Sequence, residues 1–234
     1  GLIIALLIAP FVFKDQILAE IKKFANESVN AEIEFKDVDV SFLRSFPEVS
    51  VEIQELSVVG IDTFYGQNLL RAKSLELDFS LIPLFNKSAP KSIKYIGLND
   101  ADIDLVFLND SLANYLITKP SEDTTGVEFA LEGYELNNCN LTYKDLTLPL
   151  ELYLRGVSHK GSGDIASSVH DLETSTQADS MSVVFDGFTY LKNVKAGLDA
   201  DFHIDMDKLL FELKDNELFI NKLKARGDGS VQFV

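Results

Sequence analysis

The sequence predicts a mainly β protein. Its expected form is an elongated, curved antiparallel sheet, preceded by an apolar anchor and an amphipathic helix, with few short helices elsewhere. Three observations carry this. Apolar and polar residues alternate over much of the 234-residue chain, the mark of strands with one dry and one wet face. The alternation also slips phase repeatedly: the signature apolar-x-apolar-x-x-apolar-x-apolar starts at residues 33, 51, 96, 134, 152 and 218. Its central pair of outward residues is what a bulge or tight bend needs. Finally, 17 Phe and 7 Tyr against no Trp and 2 Met suit pleated surfaces, on which flat rings pack well.

The chain opens on Leu2-Ile3-Ile4-Ala5-Leu6-Leu7-Ile8-Ala9-Pro10-Phe11-Val12-Phe13 before its first charge at Lys14. Residues 1–13 read as the remnant of a longer apolar anchor, because spanning a bilayer takes about 20 apolar residues. A signal-peptide core is the competing reading, but no small-x-small cleavage site follows. Residues 14–30 read as a helix, since Ile17, Leu18, Ile21, Phe24, Ala25 and Val29 recur at three and four and so share a face. Residues 31–234 form the β-rich body. The alternation still runs at Val231 and Phe233, which reads as a body continuing past Val234.

Within that body the first signature is Ile33, Phe35, Val38 and Val40, with its step at Lys36-Asp37. Val51, Ile53, Leu56 and Val58 repeat it across Gln54-Glu55. Leu75, Leu77, Phe79 and Leu81 alternate without a step up to Pro83, which cannot donate to a central ladder. The other copies are Ile96 to Ile103, Tyr134 to Leu141, Leu152 to His159 and Leu218 to Ala225. Asp110 reads as the cap of a short helix through Ile117 that ends before Pro120. Asp205 to Leu213 fits a short helix or a strand equally. Loops are expected at Gly60 to Asn68, Asn86 to Ser92, Lys119 to Gly126 and Gly161 to Ser168. The copies are unequally spaced, which excludes a fixed-period solenoid.

The net charge is −16, from 37 acidic and 21 basic residues. That balance excludes nucleic acid as a partner and disfavours electrostatic adhesion to anionic headgroups. Any membrane link must be apolar, through the N-terminal segment. A single cysteine, Cys139, allows no internal disulfide and sits on an apolar face with Leu141 and Tyr143, as a buried structural thiol would.

The residues point to no catalytic group, metal or cofactor, and the chain reads as a non-enzyme. His159, His170 and His203 lack zinc-ligand spacing. His203, Asp205 and Asp207 alternate with Phe202, Ile204 and Met206, and read as a solvated strand face rather than a metal trio. Asp100, Asp102 and Asp104 read the same way. Gly161-Ser162-Gly163-Asp164 lacks a phosphate-binding lysine and reads as a hairpin loop.

A sheet with one continuous apolar face must hide it under a second sheet or curl into a trough that holds something apolar. The residues themselves leave both open. The candidate lining of a trough is Ile33, Phe35, Val51, Ile53, Leu75, Leu77, Phe79, Ile103, Leu105, Leu141 and Tyr143.

The run Phe35-x-Asp37-Val38-x-Val40-Ser41-Phe42-Leu43-Arg44-Ser45-Phe46-Pro47-x-Val49, placed after an apolar anchor and helix, resembles the start of AsmA-family proteins. Leu69-Leu70-x-Ala72-x-Ser74-Leu75, Leu81-Ile82-Pro83-Leu84-Phe85 and Ile93-x-x-Ile96-x-Leu98-x-x-Ala101-x-Ile103-x-Leu105 follow in the family's order. Asn114-Tyr115 falls where the family often has an Asn-aromatic turn, whereas Ala101 stands where it commonly has proline. The likeness covers the first half of the chain by motif and the rest by strand pattern. It implies an inner-membrane anchor, a body in the periplasm of a Gram-negative-type cell, and a taco-like hydrophobic groove. It also implies a role in phospholipid transport and outer-membrane maintenance related to bridge-like lipid-transfer proteins, with phospholipid or another acyl-chain lipid as partner. The alternative is a non-transport β-sandwich scaffold that assists outer-membrane protein assembly through its sheet edges. Neither brings catalytic residues or a cofactor.

Overall fold

A computed structural model describes residues 18–19, 29–41, 44, 48–80, 91–109, 112–119, 127–163 and 168–232. The apolar anchor and most of the expected helix lie outside them. Leu18 and Ala19 are helical, and Leu18 packs against the core.

Long alternating runs give long strands: β1 (Ala31–Glu34), β2 (Asp37–Ser41), β3 (Val49–Gly60), β4 (Asn68–Phe79), β5 (Lys91–Asn109), β6 (Leu112–Ala113), β7 (Val127–Asp145), β8 (Leu150–Ser162), β9 (Val169–Phe185), β10 (Phe188–Asp205), β11 (Leu210–Ile220), β12 (Leu223–Ala225) and β13 (Gly229–Gln232). All belong to one open, curved sheet in the order β1-β3-β4-β5-β7-β8-β9-β10-β11-β12. β2 also pairs with β3, β13 with β11, and β6 with β5. Every pairing is antiparallel except β5 with β7.

The phase steps are where the strands bend. Glu55, Asp100 and Asn138, with φ of 55°, 47° and 53°, and Gly156, at 59°, are each the second residue of a step. A left-handed residue inside a strand turns the alternation over, so both residues of the step lie on the outer face. The register aligns these positions across neighbouring strands. Glu55 falls opposite Lys73, Lys73 opposite Asp100, and Gly156 opposite Asp179, while Asn138 continues the line from β5 to β7. The result is a crease running across the sheet at right angles to the strands.

The crease is polar outside and small inside. Outside, Lys36 Nζ meets Glu55 at 3.4 Å, Lys73 Nζ meets Asp100 at 3.5 Å, and Asn138 Nδ2 donates to Asp100 Oδ1 at 2.6 Å. The Asn138 bond, helped by Lys73, holds the Asp100 carboxyl below its usual range. Inside lie Leu56, Ala72, Ala101, Cys139, Val157, Ala178 and Ala196, all buried. Most of the line is Ala or Cys, with Leu56 at its β3 end, as a crowded inner angle favours. Cys139 is therefore structural as expected, 1% exposed, with its thiol pushed up by burial.

Several local expectations need correction. The copy at residue 33 is one bent strand interrupted into β1 and β2, which keep a common register against β3. The copy at 218 is a hairpin, because Asn221-Lys222 forms a turn that pairs β12 back on β11. β4 carries a step just before its expected alternation, which Leu75, Leu77 and Phe79 keep: Leu70, Ala72, Leu75 and Leu77 complete a further copy with Lys73-Ser74 at its centre. The expected helix up to Ile117 is instead β6 and a turn. There Asn114 acts as a surrogate strand, with Oδ1 accepting from Val106 N–H at 2.8 Å and Nδ2 donating to the Asp104 carbonyl at 2.6 Å. The Asn114 amide found strand backbone to bond with, and that outweighed the segment's weak helical periodicity. Asp205 to Leu213 is a turn followed by β11.

Candidate functional site

The inner face changes character along the sheet. At the β2–β5 side it is a closed core around Val38, Val49, Val51, Ile53, Leu56, Val58, Leu98 and Ala101. β1 and β2 lie along β3, and Ile117 packs against this core. Asn30 N–H donates to the Ile117 carbonyl at 2.6 Å, tying the segment after β6 to the start of β1.

From β7 onward the fold line stays buried at Cys139, Val157, Ala178 and Ala196, but to one side of it, among the described residues, the apolar rows are less covered. One row runs Ile103, Leu141, Leu154, Met181, Val194 and the next Leu105, Tyr143, Leu152, Val183, Leu191. Each of these side chains is only half-buried. A third row, Leu150, Phe185 and Phe188, reaches the hairpin ends, where Phe188 is 70% exposed.

The candidate lining therefore divides. Val51 and Ile53 are sealed in the closed core at 1% and 4% exposure. Ile33, Phe35, Leu75, Leu77, Phe79, Ile103 and Leu105 are partly buried and pack against that core. Leu141 and Tyr143 lie on the open half. Sequence reasoning missed the rest of that half: Leu150, Met181, Val183, Leu191 and Val194. The alternation Met181-x-Val183-x-Phe185 was available, but on the far side of the crease β9 carries Thr174 and Thr176 inward, which masks the strand's apolar face.

Those threonines belong to a polar island on the inner face. His159 Nδ1 lies 2.8 Å from Thr176 Oγ1, and Nε2 lies 3.2 Å from the Tyr134 hydroxyl. The Tyr134 ring sits over Gly161, where any Cβ would collide with it. Burial lowers the pKa of His159 from 6.5, because the charged imidazolium loses hydration that the two hydroxyls do not replace. The unfolded chain therefore binds the proton more readily than the folded one. Stability from this group is complete above pH 6.5 and is lost as pH falls through the lowered value. Urea midpoints measured between pH 7.5 and 5.5 are expected to drop for the wild type and to drop less for His159→Gln. Equal slopes would exclude the island as the source. The carboxylates held low in the fold, Asp100, Asp145, Asp205 and Glu217, lose their contribution in a separate window, near and below pH 4.

The expected wet face at His203, Asp205 and Asp207 is only partly wet. His203 pairs with Asp171 at 2.7 Å and Asp207 accepts from Ser168 Oγ at 2.9 Å. Asp205 is 3% exposed. Its Oδ1 accepts from Lys208 N–H at 2.9 Å and its Oδ2 meets Lys208 Nζ at 2.6 Å, so it holds the β10–β11 turn. Its pKa is lowered chiefly by the Lys208 side chain. Among the described residues no cluster of His, Cys, Asp or Glu has the arrangement of a metal site, and no helix is long and apolar enough to cross a membrane. A cleft of about 220 Å³ lies on the outer face between Arg71, Asp102, Asp104, Asn140 and Arg155. Its opposed charges serve the sheet's polar exterior.

Compared with models of known protein families the sequence matches none, and no curated protein is significantly similar to it.

Proposed function

We propose that the open half of the inner face shields the acyl chains of phospholipid or a similar lipid. In this reading the protein is a membrane-anchored periplasmic lipid carrier of the AsmA kind, serving outer-membrane phospholipid homeostasis. One observation supports this best: the apolar face is sealed around Val38, Val51, Ile53 and Leu98 and, among the described residues, is left half-exposed in the rows on β7–β10 beside the buried fold line. A face built only for stability would be covered throughout, since each buried methylene is worth about 0.8 kcal/mol. The uncovered rows offer that gain to a guest. Leu141, Leu154, Met181 and Val194 would contact one stretch of chain and Tyr143, Leu152, Val183 and Leu191 the next, with the headgroup left at the wet rim. In this reading the crease shapes the surface before the lipid arrives.

Native mass spectrometry and lipid extraction of detergent-free protein test the reading. Phospholipid is expected to co-purify with the wild type and to be lost in Leu152→Asp/Val183→Asp. It is expected to persist in Gln177→Lys, whose side chain is exposed beside Ala178, an inner-face residue. Val51→Asp is a poor probe, because a charge at a sealed core position unfolds the protein first. Lipid-free wild type, or full retention in the double variant, overturns the proposal.

A further inference from the structure

The end of the sheet at which β7 turns into β8 and β9 into β10 carries an unusual set of side chains. Leu146 and Leu148 are 65% and 57% exposed in one turn, and Phe188 and Tyr190 are 70% and 67% exposed beside the other. Water would not hold large apolar residues at turn apices without a structural demand, and the turns are built to hold them there. Asp145 is buried: its Oδ1 accepts from Thr147 N–H, Thr147 Oγ1 and Leu148 N–H at 2.8, 2.7 and 2.9 Å, and its Oδ2 from the Tyr143 hydroxyl at 3.3 Å. Asp186 and Gly187, with φ of 48° and 75°, form a tight two-residue turn of the type that follows strand twist. The tips are also tied together, Asp186 N–H donating to the Pro149 carbonyl at 2.8 Å. Phe185 and Tyr190 pack edge to face with centroids 6.3 Å apart.

Charge narrows the partner. Lys144 and Lys192 balance Glu151 and Asp186 around the tips, and Asp145 is turned inward, whereas the chain as a whole carries −16. The tips are thus an apolar end with nearly balanced charge on a strongly acidic body. Two such bodies repel one another. Aliphatic and Phe side chains foremost, with Tyr two residues behind Phe188, match the depth order of a bilayer interface, where amphipathic rings sit at headgroup level.

We propose that the two tied hairpin tips insert into the interfacial zone of an uncharged phospholipid bilayer. The inference goes beyond the acyl-chain reading: it adds Leu146, Leu148 and Tyr190 to Phe188, which ends the half-exposed apolar face.

The test uses the full chain reconstituted with phosphatidylcholine vesicles. An environment-sensitive fluorophore is placed at Leu148→Cys, at Phe188→Cys or, at the opposite end of the sheet, at Leu209→Cys. Cys139 is 1% exposed and stays unlabelled. A several-fold emission increase, quenched by spin-labelled lipid, is expected at positions 148 and 188 and not at 209. Adding Leu148→Glu to the Phe188→Cys protein is expected to remove most of the increase, with far-ultraviolet dichroism confirming an intact sheet. No increase at the tips, an equal increase at all three positions, or an increase at 188 indifferent to Leu148→Glu overturns the proposal. The lipid-extraction assay contains no bilayer, so either reading can fail alone.

Discussion

Gly156→Ala is expected to destabilise the protein by about 3 kcal/mol, lowering Tm by about 6–12 °C for a chain of this size. Two causes add. Gly156 has φ of 59°, a conformation that costs a residue with a Cβ about 1–2 kcal/mol. A Cβ there would also lie 2.6 Å from Asp179 Oδ2 and 3.1 Å from Asp179 Cβ. The carboxylate can swing aside, but the Cβ is fixed by β9. Calorimetry of Gly156→Ala, Asp179→Gly and the double variant separates the two, because removing Asp179 relieves the contact and leaves the dihedral strain. A fully tolerated Gly156→Ala would mean that β8 does not bend here.

The second expectation concerns the other side of the same fold line. Ala101→Leu is expected to cost about 3 kcal/mol in urea unfolding, the upper end of the range for overpacking. Ala101 is 1% exposed and lies between Ala72 on β4 and Cys139 on β7. The same substitution on a flat sheet with an open face would gain apolar burial. At the crease three added carbons must fit where Ala101 is already sealed between Ala72 and Cys139. A neutral or stabilised Ala101→Leu would show that the inner angle is open.

The bends were legible because a phase slip is a local event. Two consecutive outward residues, one of them Asn, Asp, Glu or Gly, are visible without knowing any partner, and Glu55, Asp100, Asn138 and Gly156 all fall on slips read from sequence. Their alignment was not legible, since it depends on register, which β-strands acquire from their neighbours. The step in β4 was hidden because Ala72 is a weak apolar signal and the Leu75 run that follows is strong. The pairing of β6 with β5 was missed for a related reason. Asn114 substitutes for strand backbone through its amide, and no periodicity announces that. The open half of the inner face fell out of reach because Thr174, Thr176 and His159 break its apolar pattern on one wing while the other wing keeps it. Buried Asp145 and Asp205 looked like surface charges because sequence does not show that a turn will wrap around a carboxylate.

The crease has a further consequence at the margins of the sheet. A long flat strand with a free ladder of N–H and C=O groups invites pairing with other chains, and natural sheets avoid such margins. Here the bend cuts each marginal strand into two pieces: β1 and β2 are 4 and 5 residues long, and β12 and β13 are 3 and 4. A neighbouring chain could zip along one piece but would have to turn the same corner to continue. The angle that shapes the interior therefore also shortens the free ladders along the described margins of the sheet.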